Sequence, residues 1–288
     1  MSELSVVLED KPFTKTLKSR AEIAGLKTSF PSVDPIRSAF PDMVRSQRYD
    51  VCEMAIGTYL QARDAGKPLL LLPVAVLGSF KHKSLFGSPA SNVSSVADLK
   101  GARVGVRSYS QTTGLWVRGW MEEEFDLPAS AMTWAVTNRS HSDQYEDPDN
   151  VVLLDGKLTD ALYSGRIDAA ITSQRSVPDL RPLVPDFAER DRAWYQRHGC
   201  VPINHMVVVT TRLASERPDV VREVYRLLAD GMVETSVENN GLPPGPRSGL
   251  DEVRRAVELA AEYACRQALI SAPVTEIEAL FCFDGRLD

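Results

Sequence analysis

The chain has 288 residues, 43% hydrophobic and 25% charged. That is enough to bury a core without disulfide or metal staples, and too apolar for general disorder. Lys and Arg total 33 against 39 Asp and Glu, a net charge of -6, which argues against a nucleic-acid partner because phosphate backbones need a clustered positive field. A small anion needs only a few local donors and stays open.

Cys52, Cys200, Cys265 and Cys282 show no CxxC or CxxH spacing, so they read as free thiols and not as a zinc set. The start, MSELSVVLEDKPFTK, is acidic where a secretory signal is basic, and it has no apolar core. The longest strongly apolar stretch, Pro68 to Leu77, is short of a membrane span. The expectation is a cytoplasmic protein with no membrane partner, which could assemble with copies of itself.

In chain order, Leu4–Leu8 reads as a strand, Glu9–Pro12 as a turn and Leu26–Phe30 as a second strand. Ile36, Phe40, Met43 and Val44 give Pro35–Gln47 helical spacing, weakened by Pro41. Tyr49–Met54 is a strand, Ile56–Ala65 a helix stopped by Gly66, and Leu69–Val76 an apolar run suited to a strand covered on both faces. A second block starts near Ser91. It contains a short helix, Val96–Gly101, the strand Arg103–Val106, a hydroxyl-rich turn and the helix Leu115–Phe125. The strand Met132–Val136, the helix Lys157–Gly165 and the strand Ile167–Ile171 follow. Ile203–Thr210 is a further strand, and Pro218–Val233, Gly249–Leu269 and Val274–Leu280 read as helices. Alternation of strand and helix predicts an α/β fold with largely parallel sheets. It also predicts two lobes, residues 1–85 with 202–288 and an inserted 86–201, with a ligand cleft between lobes at the carboxyl ends of strands.

Candidate chemistry lies where strands end. Ser110, Gln111, Thr112 and Thr113 start a helix, where unpaired N–H groups and partial positive charge would hold a carboxylate. Plain capping by a hydroxyl is the alternative. Arg107 and Arg118 nearby favour the anion. In Phe80-Lys81-His82-Lys83, three potentially cationic groups follow an apolar strand, and His82 could move a proton near neutral pH; a solvated basic loop is the alternative. His205, after Asn204, enters a strand that should be buried, so it is either functional or a satisfied core histidine. Glu53 sits at a strand end as a cleft carboxylate or a first-turn acid. Thr172 and Ser173 follow a strand and face a cleft in this reading, whereas Asp168 shapes a turn. His141 and His198 lie in polar stretches and read as surface residues. No GxGxxG, Walker, GxSxG or HExxH motif is present.

Taken together, Asp50-Val-Cys-Glu-Met54, Phe80-Lys-His82, Asp98-Leu-Lys-Gly-Ala-Arg-Val-Gly-Val106 with Tyr109, and Trp116-Val-Arg-Gly119 resemble the 4,5-dihydroxyphthalate decarboxylase family. Pro185–Arg190, Trp194-Tyr195, Val201-Pro-Ile-Asn-His205 and Tyr263-Ala264 extend the resemblance across the chain. It departs at the Val106–Thr112 turn, at Lys81 where the family pattern has Arg, and at Asn204 where Met is usual. The resemblance implies a two-lobed type 2 periplasmic-binding-protein-like fold. It also implies loss of one carboxylate from an electron-rich aromatic diacid after protonation of a ring carbon. In that scheme His82 or His205 is the acid and Glu53 accepts a phenolic proton. Lys81, Arg107 and Arg118 grip carboxylates, with Tyr109, Ser110–Thr113, Thr172 and Asn204 lining the substrate site. No flavin, pyridoxal or thiamine motif is visible. His82, His205 and Glu53 could supply a divalent-metal set, although no spacing calls for one. A solute-binding protein for an aromatic or dicarboxylic acid is the alternative function.

Overall fold

The computed structural model describes residues 3–140, 144–235 and 242–283. In chain order its strands are β1 (Glu3–Val7), β2 (Glu22–Ile23), β3 (Leu26–Ser29), β4 (Val51–Ala55), β5 (Leu69–Gly78), β6 (Leu85–Gly87), β7 (Arg103–Val106), β8 (Thr133–Val136), β9 (Val151–Leu153), β10 (Ala169–Ile171), β11 (Ile203–Thr210) and β12 (Arg247–Ser248). The helices are α1 (Lys15–Lys18), α2 (Phe40–Ser46), α3 (Ile56–Asp64), α4 (Thr112–Phe125), α5 (Leu158–Tyr163), α6 (Phe187–His198), α7 (Thr211–Glu216), α8 (Pro218–Thr235) and α9 (Leu250–Arg266). Pro41 does not interrupt a longer helix. It occupies the first turn of α2, where its missing N–H would have no partner anyway, and the preceding Ile36–Ala39 is a separate 3-10 turn.

The chain divides into two units. The first comprises Met1–Ser79, Gly199–Ala261 and Ala272–Asp288, the second Phe80–His198 and Glu262–Ser271. These limits differ from the sequence reading at 85/86 and 201/202, and the Glu262–Ser271 segment joining the second unit was not foreseen. Side-chain packing explains both shifts. The His82–Ser84 turn packs on α6, and Gln267 is tied to α4 by its amide, which donates to the Leu115 carbonyl at 2.9 Å.

The first unit holds a seven-stranded sheet in the order β12-β5-β11-β4-β1-β3-β2. β1 is parallel to β3 and β4, but β11 runs antiparallel between β4 and β5. This corrects the expectation of a largely parallel sheet here. The chain leaves at the end of β5 and returns at the start of β11, so the two strands lie side by side in opposite directions. Ser79 N–H donates to the Pro202 carbonyl at 3.0 Å, closing that exit. Glycine is required there: a Cβ on Gly245 would lie 2.0 Å from the Gly78 carbonyl oxygen. One face of the sheet packs on α8 through Leu4, Val74, Val207, Val224 and Leu228, all essentially inaccessible.

The second unit holds a five-stranded sheet, β6-β10-β7-β8-β9, parallel except for β6. β6, β9 and β12 escaped the sequence reading because two or three residues show no period. α6 escaped it because its face is mostly charged and buries only Asp191 and Trp194. Val274–Leu280, read as a helix, contains only the 3-10 turn Ile277–Leu280. All four tryptophans (Trp116, Trp120, Trp134, Trp194) are buried in this unit. His141 lies outside the described residues.

Candidate active site

The second unit contains a pocket of about 930 Å³ lined by Lys81, Lys83, Arg107 and Lys157, with no carboxylate among its lining residues. Hydroxyls of Ser84, Thr113, Thr137, Thr172 and Ser173 share the lining, and Leu158, Ile171, Pro182 and Phe187 supply apolar surface. The topology explains the convergence. Arg107 and Gln111 follow β7, Thr137 follows β8 and Thr172 follows β10, so parallel neighbours deliver their carboxyl ends to one place. Gln111 caps α4 by backbone position only, with no side-chain cap bond and no acidic residue in the first turn. The partial positive charge of that helix terminus adds to the potential beside Gln111 and Thr113. Lys157 was missed as a site residue because nothing in its local sequence distinguishes it from a helix-start residue.

Lys81 is the most buried of these cations, at 9% exposure. Burial, with help from the neighbouring Lys83 charge, lowers its amine to about 8, while Asp191 opposes the shift.

Several residues read as substrate contacts lie elsewhere. Arg118 is fully buried and does not line the pocket. Its Nε donates to Gln267 Oε1 and its Nη2 to the Tyr109 carbonyl, both at 2.7 Å. Its guanidinium stacks on the Tyr109 and Trp134 rings at 4.1 and 5.1 Å. Tyr109 is inaccessible too, its hydroxyl donating to the Gln267 carbonyl at 3.1 Å. Ser110 is buried against Ser108 at 3.1 Å, and Thr112 is buried within the first turn of α4. Arg118 and Tyr109 thereby hold the Tyr109–Thr112 turn onto the Glu262–Ser271 segment through Gln267. Side chains that point inward from a turn are not separable by sequence from those that point outward. Asp168 accepts from Ser91 Oγ and Arg103 N–H at 2.8 Å each, the turn-shaping role expected.

His82 is 2% exposed and stacked on Trp120 at 4.8 Å. Its Nδ1 is 2.7 Å from Asp191 Oδ1 and its Nε2 is 3.3 Å from Glu124 Oε1. Burial alone would lower its pKa, but the two carboxylates outweigh that and raise it, favouring the charged ring. Glu124 in turn pairs with Arg190 at 3.1 Å. His198, expected on the surface, has a side chain only 9% exposed. It packs on Trp194 at 4.4 Å and reaches Glu123 at 3.0 Å. Asp191 and Glu124 lie 109 and 42 residues from His82, and no sequence signal links them.

In the first unit, His205 faces Ala55 and Val207 faces Glu53 across the β4–β11 pair. Residues two apart share a face, so Glu53 and His205 are diagonal neighbours. His205 Nδ1 lies 2.7 Å from Glu53 Oε1, and Phe40 packs edge-on to the imidazole at 5.5 Å. Glu53 Oε2 accepts the Glu9 N–H at 3.0 Å. Burial would raise the Glu53 pKa, but His205, the Glu9 N–H and Lys11 together lower it, so the carboxyl is ionised. Asn204 points to the opposite face, with its Oδ1 buried and unpaired. Among the described residues no group of three His, Cys, Asp or Glu is arranged to hold a metal ion. No helix among them is long and apolar enough to cross a membrane.

No protein-family model matches the chain. A 4,5-dihydroxyphthalate decarboxylase from Comamonas testosteroni is 30% identical over 219 residues, covering 68% of this chain and 64% of that protein. A second, from Pseudomonas putida, is 32% identical over 160 residues, covering 52% and 62%. The chain is a relative of the 4,5-dihydroxyphthalate decarboxylases. It spans just under two thirds of the length of the decarboxylases it matches. In fold this decarboxylase relative is a two-unit α/β protein of the type 2 periplasmic-binding-protein kind. The aliphatic sulphonate binding protein SsuA of Escherichia coli covers all of the chain, with 94% of its own length aligned, at a TM-score of 0.59 and 14% identity. The desulfurization enzyme DSZB aligns over 98% of the chain and 96% of its own, at 0.54 and 15%.

Proposed function

We propose that the chain removes CO2 non-oxidatively from a hydroxylated aromatic dicarboxylic acid of the 4,5-dihydroxyphthalate type, in the cytoplasm. The observation that carries this reading is the cationic pocket of the second unit. Four basic side chains without a lining carboxylate suit a dianion, and Leu158, Ile171, Pro182 and Phe187 suit the faces of a ring. The named relatives supply the reaction class.

The chemistry follows from where electrons can go. Direct loss of CO2 from an arene would strand an electron pair in the ring plane. Protonating the carboxylate-bearing carbon while the para hydroxyl gives up its proton creates a dienone. The breaking C–C bond then returns its pair to the ring, CO2 leaves and the phenol recovers its proton, for a net uptake of one proton. Lys81 and Arg107 grip the carboxylates, with Gln111, Thr113 and Thr172 donating hydrogen bonds. His82 is the acid in this reading, next in the chain to the lining Lys81, although its ring does not itself line the pocket; His205 belongs to the first unit and is assigned no step. Glu53, held ionised, is a weak base, and it orients His205 through Nδ1 within the first unit. Incubation with 4,5-dihydroxyphthalate should release CO2 and protocatechuate. Arg107→Ala should raise KM at least tenfold, and His→Asn at the acid should lower kcat at least a hundredfold. Wild-type turnover in His82→Asn would overturn the acid assignment.

The fold also serves proteins named for solute binding, which keeps a noncatalytic receptor as the second reading. Tight binding of the diacid with no CO2 released selects it.

A further inference from the structure

Lys81 stands apart from the other cations of its pocket. Lys83 and Lys157 are exposed, whereas Lys81 is almost wholly buried where the chain enters the His82–Ser84 turn. Three positive groups, Lys83, Arg107 and Lys157, line the same pocket, and the charge of Asp191 on α6 reaches Lys81.

We propose that Lys81 is a carbamylation site, its amine adding CO2 to form a carbamate that the neighbouring cations hold. The Nζ lone pair attacks the carbon of CO2 and an N–C bond forms. One C=O π pair moves onto oxygen, and a proton leaves nitrogen for solvent. No electrons are exchanged with a redox partner, and the only co-reactant is dissolved CO2. The reaction needs an uncharged amine. An amine lowered to about 8 supplies a substantial neutral fraction near neutral pH. An ordinary lysine, at about 10.4, supplies roughly a two-hundredth of that fraction. The product also needs its new negative charge stabilised in a partly dry site, which Arg107, Lys83 and Lys157 provide. Carbamylation converts a cation into an anion in a pocket built for acids, so it weakens binding of acidic ligands. CO2 then acts as a feedback signal. The inference does not require the decarboxylation reading, since CO2 from solution serves equally, but a decarboxylase would make its own inhibitor.

The test uses the full chain equilibrated with 13C-bicarbonate. The carbamate is trapped as its ester with a trialkyloxonium salt and located by peptide mass mapping. The label is expected on Lys81 in the wild type and absent there in Lys81→Arg. No label on Lys81, or equal labelling of exposed Lys15 and Lys27, overturns the proposal. A second measurement does not depend on the variant's trapping. Phthalate affinity at fixed pH and ionic strength should fall severalfold more in bicarbonate than in chloride for the wild type. An equal fall in Lys81→Arg would mark simple competition by the bicarbonate anion and overturn the feedback role. Turnover of 4,5-dihydroxyphthalate is assayed separately, so failure of the enzymatic reading leaves the labelling result intact.

Discussion

Lys81 and His82 are adjacent in the chain yet titrate in opposite directions, because one meets like charge and burial and the other meets two carboxylates. For His82 the folded pKa lies above the unfolded value of about 6.5. Its contribution to stability is therefore complete below that value and disappears as pH rises through the folded pKa. His82→Gln should destabilise on the order of 3 kcal/mol at pH 6, as expected for breaking a buried ion pair. The loss should shrink by pH 9 in urea titrations. Glu53 has the opposite sign. Its folded pKa is depressed, so its contribution is complete above the unfolded value and lost as pH falls through the folded one. Glu53→Gln should flatten the acid limb of the stability profile between pH 5 and 3, values chosen to bracket a carboxylate's usual pKa of roughly 4.3. An unchanged acid limb would show that the His205 pair does not act on folding. At this scale the sequence marked Glu53, His82 and His205 by type and position. It could not separate Lys81 and Arg107, which line the pocket, from Arg118 and Tyr109, which do not. Inward and outward positions of one turn look alike until the Glu262–Ser271 segment closes over it.

At the scale of elements, α4 shows how close approach constrains a helix. A Cβ on Gly119 would lie 2.1 Å from the Tyr263 ring, which also packs edge-on to Trp116 at 5.7 Å. Gly119→Ala should cost about 1–3 kcal/mol by overpacking, despite alanine's better helix propensity. Adding Tyr263→Leu should recover part of that loss in a double-mutant cycle of denaturation midpoints. A stabilising Gly119→Ala would refute the packing. The strand and helix pattern was readable because long elements repeat their period. The antiparallel placement of β11 was not, since strand direction depends on where a distant return of the chain enters the sheet.

Across the whole molecule the net charge is negative, yet the pocket lining is positive. Affinity for an aromatic dicarboxylate should therefore fall with added salt. It should fall on the order of tenfold, about 1.4 kcal/mol, as pH rises through about 8 and the Lys81 amine loses its proton. Calorimetry with phthalate from about pH 7 to about 9.5, bracketing that titration, measures both effects. Lys81→Arg should abolish the pH step while keeping the salt dependence. A step that persists in that variant belongs to another group.

By itself the sequence determined the α/β class, the presence of two units and the family resemblance. These rest on element periodicity and on short local runs such as Trp116-Val-Arg-Gly119. Tertiary structure alone decided which basic residues share a pocket and which carboxylates flank His82. It also decided that Glu53 and His205 sit diagonally on one sheet face. Such pairings join residues from 42 to more than 150 positions apart. Local sequence carries no record of register or of the neighbour across a sheet, because hydrogen bonding and charge act over ångströms in space and not along the chain.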